Sequence, residues 1–169
     1  MTTEDGQEDA PLRATGEIET IFPTCAVPDY EDCIAKYVID NQRLMTRDSI
    51  SVFSGTLVGN ATGLQHLTQR LNENKSIITA IGSFWGTVGE SDVGTFSSIF
   101  TVYTDLSAFY AGEGPITWEG KIVVIEGTGM GGLEGICGGG TITGEYPPTF
   151  LTTYDLEFRF GKACNGNDD

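Results

Sequence analysis

The chain is short of the residues that most enzymes and nucleic-acid binders lean on. It has one histidine, His66, and no G-x-S-x-G, so a nucleophilic hydrolase has little to work with. Its four cysteines form no C-x-x-C pair, which argues against a structural zinc site. Basic residues are few: 9 Lys and Arg face 24 Asp and Glu, a net charge of −15 that leaves no basic face for nucleic acid or an anionic membrane. No apolar run approaches the roughly 20 residues that cross a bilayer as a helix. Neither a metal nor another cofactor is expected.

Glycine, by contrast, is abundant at 23 residues, and 39% of the chain is hydrophobic. In 169 residues that composition fits one turn-rich β domain with a core of its own. Residues 1–12 are polar, acidic and without period, and read as a disordered tail. Residues 162–169 read as a second tail.

The stretch Gly120–Gly144 organises the remainder. Gly127, Gly129 and Gly132 satisfy G-x-G-x-x-G after a strand-like run. A dinucleotide site also needs a helix directly afterwards. Here Gly135 and Gly138–Gly140 follow, and each interior glycine costs a helix about 1 kcal/mol against alanine. Two bent antiparallel strands around a glycine turn are the better reading.

Period-2 alternation recurs along the chain. It is cleanest near the C-terminus, where Phe150, Thr152, Tyr154, Leu156, Phe158 and Phe160 share one face and Leu151, Thr153, Asp155, Glu157 and Arg159 the other. Ile77, Thr79, Ile81, Ser83 and Trp85 fall together, as do Phe96, Ser98, Phe100 and Val102, and Ile116, Trp118, Ile122, Val124 and Glu126. Leu64–Leu71 is assigned to strand from its hairpin context. About eight strands with little helix point to an all-β, antiparallel closed barrel over residues 13–161, which removes exposed edges. Within residues 23–48, Pro28, Asp29 and Asp32 look like a helix start, and Ile34, Tyr37 and Val38 share a helical face, so a short helix near the N-terminus is expected over one mouth of the barrel.

If the alternating faces turn inward, Trp85, Phe100, Trp118, Tyr154 and Phe158 line a lumen open at one end. Large rings with sparse hydroxyls describe a site for a small apolar ligand as well as they describe ordinary core. Tyr154 and Glu126 are the candidate catalytic groups, a polar anchor and an inward carboxyl; a rim glutamate facing water is the alternative for Glu126. His66 is expected at the surface.

Cys25, Cys33, Cys137 and Cys164 allow three pairings. Cys25–Cys33 and Cys137–Cys164 are favoured, the first closing the loop within residues 23–48 and the second tying the tail to a neighbouring strand. Asn60 and Asn74 head N-glycosylation sequons. Together these features point to the secretory pathway or the extracellular space, although Met1–Asp5 carry no signal-peptide core.

The same chain resembles a known family. Ala14–Glu19 (ATGEIE), Phe53–Leu57 (FSGTL), Phe84–Gly89 (FWGTVG), Gly94–Phe96 (GTF), the glycine turn of Gly120–Gly144 and Tyr154–Glu157 (YDLE) occur in the order seen in allene-oxide-cyclase-like β-barrels. They look most like the small uncharacterised bacterial barrel proteins of that set. Residues 23–48 are an insertion relative to the family pattern that the chain resembles. Relatives with known roles include allene oxide cyclase and spirotetronate-type Diels–Alder cyclases. The resemblance implies a cofactor-independent cyclase or isomerase that folds an apolar natural-product intermediate inside the barrel, with homo-oligomers a further possibility. A non-catalytic carrier with the same lumen is the alternative.

Overall fold

Strand β1, Leu12–Ile21, pairs on one side with the last strand and on the other with the third, and that double pairing closes the sheet. Within it Gly16 stands opposite both Tyr154 and Gly55. The computed structural model describes residues 10–165; of the tail expected over residues 1–12, residues 1–9 lie outside them, as do the last four residues of the second tail, and Leu12 opens β1. The other strands are β2 Ala35–Ile39, β3 Gln42–Gly55, β4 Leu57–Arg70, β5 Lys75–Val88, β6 Gly94–Asp105, β7 Ile116–Val124, β8 Met130–Gly131, β9 Ile136–Tyr146 and β10 Phe150–Phe160. Eight of them, β1, β10, β9, β7, β6, β5, β4 and β3 in spatial order, form an antiparallel closed barrel. Two lie outside it: β2 pairs with β3, and β8 with β6.

The expected N-terminal helix is absent. Cys25, Tyr30 and Asp32 take left-handed backbone conformations within residues 22–34, and a disulfide joins Cys25 to Cys33. The following residues are taken up by β3. That strand pairs with β1 only from Ile50 to Gly55, so its first half would present an open row of backbone groups. Ala35–Ile39 fills the gap, with Tyr37 opposite Leu44, and leaves the intended helical stripe of Ile34, Tyr37 and Val38 exposed. Barrel strand β3 begins at Gln42, within the stretch 23–48. Among the described residues the α-helix is a single turn, α1 Ser107–Tyr110, between β6 and β7.

The glycine-rich stretch behaves as turn and strand. Gly127 and Gly129 lie in the connection after β7, β8 follows, and Leu133 closes the end of the barrel with no exposed surface. Leu133 packs where Gly94 has no side chain; a Cβ there would sit 2.9 Å from Leu133 Cγ. Leu57, Val88, Ile136 and Phe158 are buried with it in the main core. This closed end is the floor. The opposite end, where β1, β4, β6 and β9 finish, is the mouth. Cys25, Tyr30, Met45 and Leu67 form a second small core there, which seats the 22–34 loop over the opening.

Candidate functional site: a lumenal cavity beneath a disulfide-bound loop

The barrel interior is filled unevenly. Below its middle, Phe53, Phe84, Phe96, Tyr154 and Phe158 pack ring against ring, with centroid separations of 5.0 to 6.2 Å along the series. Above it the inward positions of β4 and β5 become small: Ala61 and Gly63 on one strand, Ala80 and Gly82 on the next. These four leave a cavity of about 110 Å³. An engineered cavity of about 150 Å³ holds benzene, so the space suits part of a small organic molecule.

Its walls are mostly apolar. Ile18, Ile78, Phe100, Val102, Ile142 and Trp118 face it from five strands. The Trp118 ring lies against Gly144, where any Cβ would collide with it, and its indole N–H donates to Thr152 Oγ1 at 3.0 Å. Around the mouth the rings continue. Phe150 stacks on Tyr146 at 4.3 Å and meets Phe22 edge-on at 4.8 Å. The 22–34 loop contributes Phe22, Val27 and Tyr30 to the lining. Burial, together with neighbouring Tyr110, pushes the Tyr30 hydroxyl above its ordinary pKa, so it stays a neutral hydrogen-bonding group.

Polar groups are sparse. Ser49, Ser76, Thr104, Thr152 and Gln65 line the space, and the Thr104 hydroxyl is buried without a partner. The charged member is Arg47, 4% exposed, on the inward face of β3. Its Nε donates to Gln65 Oε1 and its Nη1 to the Cys25 carbonyl, both at 3.0 Å, and its guanidinium carbon lies 3.5 Å from the Phe22 ring centroid. Burial pushes the guanidinium down to about 10, which leaves it a cation at physiological pH.

Of the residues expected to line the lumen, Phe100 and Trp118 do so. Trp85 does not: it points outward and is 57% exposed, with Ile77 and Ile81 on the same outer face. The grouping along β5 holds and its direction is inverted: Ser76, Ile78, Ala80, Gly82, Phe84 and Val88 take the inward face. Phe158 is sealed in the floor core. Tyr154 is buried, and its hydroxyl donates to the Ser54 carbonyl at 2.7 Å and accepts the Leu57 N–H at 2.9 Å. It fastens the β3–β4 turn and has no face on the cavity. Glu126 lies past the end of β7, exposed in a turn at the floor. It is therefore not inward, and the structure does not bring it near Tyr154 or the cavity.

His66 sits on the exposed outer face of β4 with Nδ1 3.0 Å from Thr46 Oγ1. Asn60 is exposed on β4, and Asn74 lies in the β4–β5 turn. Both expected disulfides are present, Cys25–Cys33 at the mouth and Cys137–Cys164 joining β9 to the C-terminal 3-10 turn. They are compatible with an oxidising compartment.

Sequence reasoning passed over Arg47. Its sign was an arginine at the same parity as Met45 and Phe53 in a strand. The other face of the strand, with Ile50 and Val52, is also apolar and lies outside, so the strand's pattern is two-sided. No protein-family model matches the chain, and no curated protein does.

Proposed function

We propose that the barrel admits a small, largely apolar molecule through its mouth and holds it in the upper lumen. In keeping with its resemblance to cyclase barrels, it would direct a cofactor-independent ring closure or isomerisation there. One observation carries this reading: a mostly apolar cavity of about 110 Å³ lies beneath a loop that is pinned by a disulfide and a core of its own. A floppy substrate confined to one folded shape reaches a near-attack geometry without the entropy loss that slows it in water. Arg47 and the Thr104 hydroxyl supply hydrogen bonds for charge that develops on a carbonyl oxygen.

A second reading, a carrier with no turnover, also has a specific observation behind it. Among the described lining residues none is a carboxylate, histidine or free thiol, so no side-chain pair is set up to move a proton.

The two part in one experiment. The purified protein is incubated with a natural-product extract, washed, and examined by native mass spectrometry followed by chromatography of what it releases. An isomer absent from the extract supports the cyclase. A retained but unchanged molecule supports the carrier. Failure to retain any small molecule, with the fold intact, rejects both.

A further inference from the structure

Burying a guanidinium in an apolar cavity is costly unless an anion meets it. Arg47 is such a group, and no described carboxylate lies within ion-pair distance of it. Its hydrogen bonds use Nε and Nη1 and go to neutral acceptors, the Gln65 amide oxygen and the Cys25 carbonyl. Nη2 has no described partner. Phe22 covers one face of the group. One further polar side chain of the lining, Thr104, is buried with an unpaired hydroxyl. Arg47 is also held in place: β3 fixes its backbone, Gln65 its Nε and the loop its Nη1. What this leaves is a positioned, desolvated cation with donor capacity to spare, at the upper end of an apolar space.

We propose that the ligand of this cavity carries a carboxylate, which pairs with Arg47, while its apolar body runs down toward Phe100 and Ile142. The proposal rests on the lumen being the binding site, and adds the chemical class of what enters it. The net charge of −15 opposes an anion at long range, so selectivity for it must come from short-range contacts within the lumen.

The test compares three probes of equal chain length, octanoate, 1-octanol and octylammonium, by isothermal titration calorimetry on the wild-type protein. Octanoate is expected to bind at least about tenfold more tightly than octanol, with octylammonium weakest, as one charge-assisted hydrogen-bonded contact predicts. Arg47→Met should remove the preference for octanoate over octanol, and Arg47→Lys should keep part of it. Octanol binding as well as octanoate to the wild type overturns the proposal while leaving the lumenal site standing. Failure of all three to bind overturns the lumenal site and this inference with it. The wild-type ranking decides the matter even if Arg47→Met does not fold.

Discussion

The Tyr154 hydroxyl occupies the place where a side chain at residue 16 would have to go. A Cβ on Gly16 would lie 2.5 Å from the Tyr154 hydroxyl oxygen and would collide with the Ser54 carbonyl. Gly16, Tyr154 and the β3–β4 turn therefore form one fastening at the seam where β1 closes the barrel. Tyr154→Phe leaves the Leu57 N–H and the Ser54 carbonyl unpaired in a buried setting, and stability should fall by about 1–3 kcal/mol. Gly16→Ala should cost at least as much. Urea denaturation checks both; Tyr154→Phe unfolding at the wild-type midpoint would show the hydroxyl to be idle.

Filling the cavity should abolish binding without harming the fold. Ala80 is 4% exposed and faces the empty space. Ala80→Leu adds three carbon atoms where no protein atom now sits, so the melting temperature should hold or rise while ligand affinity drops at least about tenfold. Differential scanning calorimetry and titration on the same sample separate the two effects. Trp85→Ala serves as the opposite control: with its ring outside the barrel, binding should be unchanged.

The two disulfides should differ in what their loss affects. Cys25 and Cys33 are 8 residues apart and Cys137 and Cys164 are 27 apart. Loop-closure entropy assigns about 2–3 kcal/mol to the shorter bridge and about 3–4 kcal/mol to the longer. Replacing Cys137 and Cys164 with serine should therefore lower the melting temperature more. Replacing Cys25 and Cys33 should weaken ligand binding more, since that bridge shapes the loop carrying Phe22 and Tyr30. Equal effects of the two pairs on binding would remove the loop from the site.

Arg47 sets a pH dependence. Its folded pKa, about 10, lies below its ordinary value because burial disfavours the charged form. The unfolded chain therefore holds this proton more firmly, and the buried charge weakens the fold fully below the folded pKa. As pH rises past about 10 the folded state sheds the proton first and that penalty fades. Tyr30 faces it from the loop with its own hydroxyl pushed upward, and so remains neutral across this range. Carboxylate binding should be flat from about pH 6 to about pH 9 and decline above about 10. A calorimetric series over that range checks it; a decline centred near neutrality would point to some other group.

The barrel was legible because alternation in β10 is regular over eleven residues: Thr152, Tyr154, Leu156 and Phe158 are buried and their neighbours are not. Pairing of the cysteines followed from where loop and tail had to go. Elsewhere the pattern was two-sided. β5 carries Ile77, Ile81 and Trp85 on one face and Ile78, Phe84 and Val88 on the other, so alternation fixes which residues travel together and leaves their direction open. Large rings drew the expected pocket toward Tyr154 and Phe158, yet large rings are what fill space. The cavity lies where Ala61, Gly63, Ala80 and Gly82 leave it unfilled, and a run of small inward residues is a faint mark in a chain with glycine throughout. The absent helix had a physical rival that pattern does not record, the unpaired half of β3.

Leu133 stoppers the floor, so the lumen is a blind well and not a tunnel. Whatever enters at the mouth must back out the way it came, past the same rings and the same loop. Traffic is then strictly one at a time: a newcomer waits until the occupant has gone, and nothing can be pushed through from behind. For a carrier, uptake of one molecule must follow release of the last through the same opening. For a cyclase the blind well makes product and substrate rivals for one doorway, so the compound it makes would also be its competitive inhibitor.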